Sequence, residues 1–292
     1  MTDQTTIKIM GVPEHFNLPW YLAIDSGRFS DEGINVQWQD APGGTGAMMQ
    51  ALDGGTTDMV VALTEGVSTY IAKGSAARIV QLYVSSPLRW GIHVAANSAY
   101  QQVAELWDSR FAISRPASGS HLMAFVLGQQ QAWATGSMRF VEVGGMAGAR
   151  QALAAGNADT FLWEQLMTKP VVDRGEFRRL GHIDTPWPCF VIAASQKLIN
   201  DKADVLQKLL EIIAREASAF KQRKDAVSLI SQRFELHSSD VKTWLNRTEW
   251  ADDQRISHEM LEQVITTLQK IDAIPDKVNP RELCSEKFII LY

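Results

Sequence analysis

The sequence predicts an α/β fold that is built from two similar halves. Three observations support this prediction: strand and helix patterns alternate through about the first 200 residues, one motif occurs twice, and the rest of the chain is helical. Alternating strands and helices are typical of a mainly parallel sheet that is covered by helices. A repeated motif predicts that the same supersecondary unit is present in each half.

The first half begins with a strand-like segment at 7–12, which is followed by helical spacing over 19–33. That helix is expected to end at Gly33, because glycine is a common residue just after a helix. The other predicted elements of this half are a strand at 34–41, a helix after the glycines at 43–44, a strand at 58–63, a helix at 67–74 and a strand at 77–85.

The second half repeats this alternation and is followed by a helical region. Its predicted strands are 91–96, 111–114, 140–143, 159–163 and 188–195, and its predicted helices are 103–109, 118–131 and 148–156. After residue 200, amphipathic spacing predicts helices at 202–223, from Ser238 or Ser239 through Leu245, and at 256–271. The last residues, 287–292, are apolar and strand-like.

The duplicated motif covers residues 43–59, GGTGAMMQALDGGTTDM, and residues 144–160, GGMAGARQALAAGNADT. The identical pairs are Gly43/Gly144, Gly44/Gly145, Gln50/Gln151, Ala51/Ala152, Leu52/Leu153, Gly55/Gly156 and Asp58/Asp159. Each copy reads as strand, Gly-Gly turn, helix, Gly-x-x-Asp turn and strand. Because helix N-terminal N–H groups are unpaired and strand carboxyl ends are common binding sites, these turns predict two halves of a ligand cleft.

Composition excludes several classes of protein. The net charge of −5 argues against a nucleic-acid partner, and no apolar run approaches the length of about 20 residues that a membrane helix requires. The N-terminal MTDQTT lacks the features of a signal peptide, which predicts a cytoplasmic protein, or a periplasmic one if this is a processed form. Two cysteines predict buried thiols rather than a disulfide framework or a metal site. The oligomeric state stays open.

Two segments resemble the ABC transporter substrate-binding proteins for sulfonates, taurine, nitrate and thiamine-pyrimidine precursors. They are residues 12–38, VPEHFNLPWYLAIDSGRFSDEGINVQW, and residues 50–59, QALDGGTTDM. This resemblance covers roughly residues 7–230 and implies the two-lobed type II periplasmic-binding-protein fold with two crossing strands and C-terminal helices. It implies lobe 1 at 1–86 plus 189–292 and lobe 2 at 87–188. A transporter permease would be the partner if the chain is exported.

Seven shorter stretches resemble a signal-less subfamily found in fungi and bacteria. They are PEHF (13–16), GGTGAM (43–48), LTEG (63–66), SPLRW (86–90), SGSHLMAF (118–125), WEQLMTKP (163–170) and TPWPC (185–189). The crossings implied by the fold are 83–92 and 184–192. Pro87, Pro186 and Pro188 either shape these crossings by fixing φ or are ordinary loop residues.

The candidate ligand-binding residues follow strands or border the two crossings. They are His15, Phe16, Asn17, Gly44, Thr45, Thr64, Glu65, Ser86, Arg89, Ser118, Gly119, Ser120, His121, Trp163, Glu164 and Trp187. Each has a plainer interpretation: a packed histidine, a tight turn, an N-cap, or a surface charge that pairs locally. By the symmetry of the repeat, Glu65 and Glu164 are expected to supply one carboxylate from each lobe.

These residues predict a solute-binding or sensing protein that binds a small molecule without catalysis in an interlobe cleft, with hinge closure. Carboxylates together with tryptophans favour a flat ligand with N–H donors, such as an aminopyrimidine, over an anion. Two alternatives stay open: an enzyme with thiamine-pyrimidine chemistry, and a transporter component for sulfonate-like or nitrate-like anions. The motifs of common hydrolases, metalloproteases and P-loop proteins are absent from the sequence, and we expect no catalytic residue, no cofactor and no metal.

Overall fold

The computed structural model describes residues 4–292. Contacts between Cα atoms divide the chain into two compact units: unit 1 comprises Met1–Ser86 and Trp187–Tyr292, and unit 2 comprises Pro87–Pro186. The sequence places the second boundary after residue 188, whereas the contacts place it after Pro186. Two long strands, Arg78–Ala95 and Phe177–Ala194, have residues in both units.

The elements are numbered along the chain. The strands are β1 Thr5–Gly11, β2 Ile34–Asp40, β3 Met59–Leu63, β4 Arg78–Ala95, β5 Arg110–Ile113, β6 Arg139–Glu142, β7 Thr160–Glu164, β8 Phe177–Ala194, β9 Arg255–Ile256 and β10 Ile290–Leu291. The α-helices are α1 Leu18–Asp25, α2 Gly44–Asp53, α3 Thr64–Ala72, α4 Gly119–Gln130, α5 Met146–Ala154, α6 Gln165–Asp173, α7 Gln196–Asp201, α8 Ala203–Lys221, α9 Ala226–Phe234, α10 Ser238–Arg247, α11 His258–Gln269 and α12 Pro280–Leu283. Short 3₁₀ helices occupy His15–Asn17, Ser30–Glu32, Val103–Asp108 and Thr135–Ser137.

Unit 1 is organised around the strand order β2-β1-β3-β8. β1 is parallel to both β2 and β3, and β3 is antiparallel to β8, with Leu63 opposite Phe190. β3 is buried along nearly its whole length, as expected for a central strand that is covered on both faces. α8 packs against α1, and its broad apolar face is buried. The carboxyl ends of β1 and β3 therefore lie at one edge of a rigid layer.

Unit 2 has the strand order β4-β7-β5-β6. β7 is antiparallel to β4, where Trp90 lies opposite Glu164, and β5 is parallel to β6 and β7. Apolar residues from β5, α5, β7, α6 and the first position of β8 form a core within this unit that includes Leu153, Phe161 and Phe177. Unit 2 thus has a hydrophobic core of its own.

The Gly-x-x-Asp turn of the repeat performs the same structural task in each unit. The Asp58 carboxylate accepts from the Lys8 backbone N–H at 2.8 Å, and Asp58 N–H donates to the Lys8 carbonyl at 3.0 Å. In unit 2, Asp159 accepts from Arg110 N–H at 2.8 Å and donates to the Arg110 carbonyl at 2.9 Å. The duplicated aspartate therefore joins the residue just before β3 or β7 to the neighbouring strand, which is β1 in unit 1 and β5 in unit 2.

Most predicted elements are present, but several boundaries differ. The predicted helix 19–33 stops at Asp25, and the predicted helix 103–109 is a 3₁₀ helix. The predicted strands 77–85 and 91–96 are one continuous strand, β4, because the Pro87 that separates them lies within an extended backbone. α9 was not predicted, although five of its nine residues are apolar, and α6, α7 and α12 were not predicted either. In residues 4–292, no helix combines the length and the hydropathy that crossing a membrane requires.

Candidate functional site

The candidate site in unit 1 is formed where β1 and β3 end. β1 is followed by the 3₁₀ helix His15–Asn17, and β3 leads directly into α3 at Thr64. The Phe16 ring lies 4.9 Å from the Phe190 ring, and Phe190 is the register partner of Leu63, the last residue of β3. The 3₁₀ helix and the start of α3 are therefore neighbours, as the parallel arrangement of β1 and β3 predicts.

Glu65 is the central titratable group of this site. Its side chain is 2% exposed, and its Oε2 accepts a hydrogen bond from Trp187 Nε1 at 3.0 Å. Its Oε1 is buried and has no partner among the described residues. Burial raises the Glu65 pKa to about 7, because the charged form loses its hydration. A buried carboxyl with one free oxygen can accept hydrogen bonds from a ligand.

Asn17 and His15 supply further polar atoms beside this edge. Asn17 Nδ2 donates to the Val12 carbonyl at 2.8 Å, and the buried Oδ1 has no partner in the part of the chain that the structure describes. His15 is fully buried, and neither ring nitrogen has a partner among the described residues. The His15 ring centroid lies 4.6 Å from that of Phe16 and 4.3 Å from that of Trp244. Burial lowers the His15 pKa to about 3, so the imidazole is neutral.

The hydroxyl groups near this site hold the backbone in place. Thr64 Oγ1 donates to the Pro188 carbonyl at 2.6 Å, and Thr45 Oγ1 accepts from Leu63 N–H at 3.2 Å. Gly44 begins α2 with a φ of 66°, which glycine adopts without strain. Ser86 Oγ accepts from Glu249 N–H at 3.1 Å. These predicted ligand residues have structural hydrogen bonds or turns in the protein.

Trp187 and Phe16 are also fixed by the surrounding structure. Trp187 is 1% exposed, and its indole N–H orients the Glu65 carboxyl. The Phe16 carbonyl accepts from Tyr83 OH at 2.8 Å and from Trp250 Nε1 at 3.2 Å. Because both groups are held from several directions, they can position a ligand with little loss of conformational entropy.

The predicted residues at the start of α4, in unit 2, are hydrogen-bonded to one another. Ser118 is the N-cap and accepts from His121 N–H, its Oγ lies 3.1 Å from Ser120 Oγ, and Ser120 Oγ accepts from Ser114 N–H at 2.9 Å. His121 Nδ1 accepts from Ala117 N–H at 3.0 Å, so its proton resides on Nε2, and burial lowers the His121 pKa. Gly119 is the first residue of α4. These contacts close the β5–α4 turn.

Arg89 and Trp163 also have partners within unit 2. The Arg89 guanidinium forms a bidentate pair with Asp184, in which both N–O distances are 2.7 Å. The Trp163 ring stacks on Phe161 at 5.2 Å and meets Trp90 edge-on at 6.4 Å. A paired guanidinium is oriented and less available to a second anion, which favours the local-pairing interpretation of Arg89.

The two glutamates are not at equivalent positions, which differs from the sequence expectation. Glu164 is the last residue of β7 and the N-cap of α6, where its Oε2 accepts from Met167 N–H at 2.6 Å. Leu63 is its counterpart in unit 1, because it ends β3 and caps α3. Glu65 lies within the first turn of α3. The two strand–helix junctions have the same length, because β3 and α3 begin 101 residues before β7 and α6. The shift that aligns the repeat therefore pairs Glu65 with Leu166, and the sequence expectation did not apply this shift to the glutamates.

Ser68 is a candidate residue that sequence reasoning missed. Its Oγ is buried on α3 and has no partner among the described residues. It follows Glu65 by three positions, so both side chains project from the same face of the helix. The spacing of three residues from Glu65 was the feature of the sequence that could have identified Ser68 as a candidate. In residues 4–292, no cluster of three or more His, Cys, Asp or Glu side chains could hold a metal ion.

Comparisons with known proteins show the fold of the chain. The family model described as Ca3427-like PBP, where PBP denotes periplasmic binding protein, matches residues 90–183. The chain is similar in structure to the conserved Candida albicans CA3427 gene product, which exhibits the generic periplasmic-binding-protein fold. The TM-score is 0.88 and the identity is 23%, over 98% of this chain and 96% of that chain. No curated protein sequence matches the chain.

Two bacterial structures share the same architecture at lower identity. The alkanesulfonate-binding protein SsuA from Xanthomonas axonopodis pv. citri, bound to MOPS, has a TM-score of 0.80 and 18% identity over 98% of this chain and 99% of that chain. The ligand-binding component of an ABC-type import system from Staphylococcus aureus, with zinc bound, has a TM-score of 0.74 and 17% identity over 99% and 97%. The chain therefore has the periplasmic-binding-protein fold, a fold of solute-binding proteins.

Proposed function

We propose that this protein binds, without catalysis, a small polar molecule that carries N–H donors, and that Glu65 is the main recognition group. The observation that carries the proposal is the buried Glu65 Oε1, which has no partner among the described residues, while Oε2 is held by Trp187. Leaving a buried acceptor unpaired costs about 1–3 kcal/mol, a cost that a ligand donor would remove. The solute-binding fold of the similar proteins supports a binding role.

The neighbouring groups favour donors on the ligand. Asn17 Oδ1 can only accept a hydrogen bond, and Ser68 Oγ can accept or donate. Near neutral pH, Glu65 is about half ionised at a pKa of about 7 and would repel a bound anion in that form. An amino-substituted heteroaromatic ring, such as an aminopyrimidine, offers N–H groups and a flat apolar face beside Trp187 and Phe16.

The hydrogen-bond partner of Glu65 also favours binding over catalysis. An indole N–H fixes the orientation of the carboxyl but does not exchange protons with it under ordinary conditions. Within the described site, Glu65 is thus oriented by a group that is not a base. This arrangement supports a recognition role for Glu65. A turnover assay with each bound compound tests it, since formation of a product would indicate catalysis.

Isothermal titration of the full chain with 4-aminopyrimidine and with ethanesulfonate tests the proposed ligand class. The aminopyrimidine is expected to bind, and Glu65→Gln is expected to weaken it at least about tenfold, which corresponds to about 1.4 kcal/mol. Glu259→Gln, on the exposed first turn of α11, is the matched control and should bind as the wild type does. Binding of the sulfonate alone would reject the proposed ligand class.

Hinge closure and a transport partner are separate parts of the proposal. If the two lobes close on the ligand, small-angle scattering should show a smaller radius of gyration when the aminopyrimidine is added, and an unchanged radius would reject closure. If the chain serves import, affinity capture from membranes should recover a permease of the ABC type. Cell fractionation tests the cytoplasmic location that the N-terminal sequence predicts.

A further inference from the structure

Unit 1 also contains a groove of about 780 Å³ that shares no lining residue with the candidate site. Its lining residues come from α8 and its C-cap, β4, the segment 252–255 and Ile290. Its lining residues are Gln81, Gln207, Leu210, Glu211, Ala214, Arg215, Ser218, Ala219, Gln222, Asp252, Asp253, Gln254, Arg255 and Ile290. The volume falls within the range of small-molecule sites, about 300–1,000 Å³.

Two of the four glutamines that line this groove, Gln207 and Gln254, have hydrogen-bond partners. Gln254 Nε2 donates to Gln207 Oε1 at 3.0 Å, and Gln207 Nε2 donates to Glu211 Oε1 at 2.8 Å. Asp253 accepts from Arg255 N–H at 3.0 Å. This chain of hydrogen bonds fixes one wall of the groove and orients the groups that compose it.

Gln81 differs from these groups because it is 2% exposed and its side-chain amide has no hydrogen bond to another residue in 4–292. Its amide atoms are not among the fully buried atoms that lack a partner, so they reach the open space of the groove that Gln81 lines. Glutamine is rarely this buried. The neighbours on the same face of β4, Ile79 and Tyr83, are buried and mainly apolar, so the amide does not belong to a polar cluster of this strand.

The main chain of Gln81 faces the same opening. The carbonyls of Ile79 and Tyr83 accept from Ser285 N–H and Ala251 N–H, each at 2.9 Å. Residues two apart in a strand direct their backbone polar groups to the same edge. The backbone N–H and C=O of Gln81 therefore face the gap between Ser285 and Ala251. A ligand in this gap would meet one donor and one acceptor of the main chain in addition to those of the side-chain amide.

The length of this gap determines what can occupy it. Ile79 and Tyr83 are separated by about 13 Å along the strand, and both are already paired with other parts of the chain. An extended polypeptide cannot continue along the edge past these two segments, whereas a single amide group has room between them. Leu210, Ala214 and Ile290 provide apolar surface for the body of a small compound.

We propose that this groove is a second binding site, and that it takes a small molecule with a carboxamide or lactam edge that pairs with Gln81. A lactam presents a C=O acceptor and an N–H donor on one side, which is the complement of a glutamine amide. The proposal is independent of the function proposed for Glu65, because the two sites share no residue.

Saturation-transfer NMR of the full chain with 2-pyrrolidone at about 5 mM tests the proposal, since small probes are expected to bind with millimolar affinity. Cyclopentanone, which has the same ring size but no N–H, is the control compound. Transfer to 2-pyrrolidone should exceed transfer to cyclopentanone in the wild type. It should be lost in Gln81→Leu and in Ala214→Trp, which fills the groove, and retained in Gln263→Leu on the exposed face of α11.

Thermal unfolding shows whether the variants fold. Gln81→Leu removes no hydrogen bond to another described residue and keeps a side chain of similar size, so Tm is expected to stay close to that of the wild type. A folded Gln81→Leu that keeps the wild-type transfer would overturn the proposal. Equal transfer to the ketone and the lactam, or no transfer to the lactam in the wild type, would also overturn it.

Discussion

At the scale of single residues, the site of unit 1 is defined by polar atoms that the fold buries without satisfying. Glu65 Oε1, Asn17 Oδ1 and Ser68 Oγ all belong to elements that begin where β1 or β3 ends. Folded proteins rarely leave such atoms unpaired, because each costs about 1–3 kcal/mol. These three atoms lie at one sheet edge, where the ligand proposed above would supply their hydrogen bonds.

Glu65→Gln should change how stability depends on pH. The folded pKa of about 7 lies above the ordinary value of 4.5, so between these values the folded protein holds a proton that the unfolded chain has released. Wild-type stability therefore loses a contribution of about 2–3 kcal/mol as pH rises from 5 to 8, and the glutamine variant does not. Denaturant unfolding at both pH values measures the difference.

The comparison with the variant isolates Glu65 from Glu14, whose pKa burial also raises to about 7. Both proteins contain Glu14, so its contribution cancels in the difference between the two curves. We expect the variant to gain stability relative to the wild type at pH 8 but not at pH 5. Parallel curves for the two proteins would show that Glu65 is ionised normally in the folded state.

At the scale of elements, the repeat shows which parts of the motif are architectural. Asp58 and Asp159 bind equivalent backbone positions, and Gly55 and Gly156 adopt φ values of 70° and 69°. The Gly-Gly turns differ, since the positive φ falls on Gly44 in the first copy and on Gly144 in the second. The two copies thus share the end of the helix but not the way in which it begins.

Gly148→Ala should destabilise unit 2 strongly. An added Cβ at this position would overlap the carbonyl oxygen of Val143, and a backbone atom cannot move aside as a side-chain end can. The corresponding residue of the first copy is Ala47, which the different turn accommodates. We expect a loss of about 2–4 kcal/mol in denaturant unfolding.

Gly136→Ala is the matched control for this substitution. Its Cβ would meet no atom within 4 Å, and Gly136 does not have a positive φ. The control should therefore unfold within about 0.5 kcal/mol of the wild type. Equal stability of the two variants would mean that the β6–α5 turn can relax, and that the tight turn is not required by the fold.

At the scale of the whole molecule, the two units are built differently along the chain. Unit 2 is one continuous segment with its own core, whereas unit 1 combines both ends of the chain. Its strand β3 pairs with β8, and the register from Met59–Ala194 to Leu63–Phe190 joins segments more than 120 residues apart. Folding of unit 1 therefore requires contacts that close a long loop.

The isolated segment 87–186 is expected to fold alone, and the isolated segment 1–86 is not. The first contains β5, β6 and β7 with the helices that cover them, and the second lacks β8 and α8. Circular dichroism during thermal unfolding should show a cooperative transition for 87–186 and a gradual, non-cooperative change for 1–86. A cooperative transition in 1–86 would show that its local contacts suffice.

Local patterns in the sequence predicted the α/β class, most strands and the position of the repeat. Period-two and helical spacing depend only on neighbouring residues, and β1, β2, β3 and α8 were accordingly predicted nearly to their ends. The motif residues Ser118, Ser120 and His121 were also recognised, but their spacing fits an N-cap and a ligand site equally well. Their hydrogen bonds to one another became apparent only from the structure.

The sequence by itself determined the alternation of strands and helices, the duplication and the resemblance to solute-binding proteins, because these are recorded in local order. Only the tertiary structure decided that Glu65 binds Trp187, that Arg89 binds Asp184 and that Gln81 lies unpaired in a groove. These pairs are 95 or more residues apart. Contacts at that separation arise from the packing of whole elements, which no local pattern encodes.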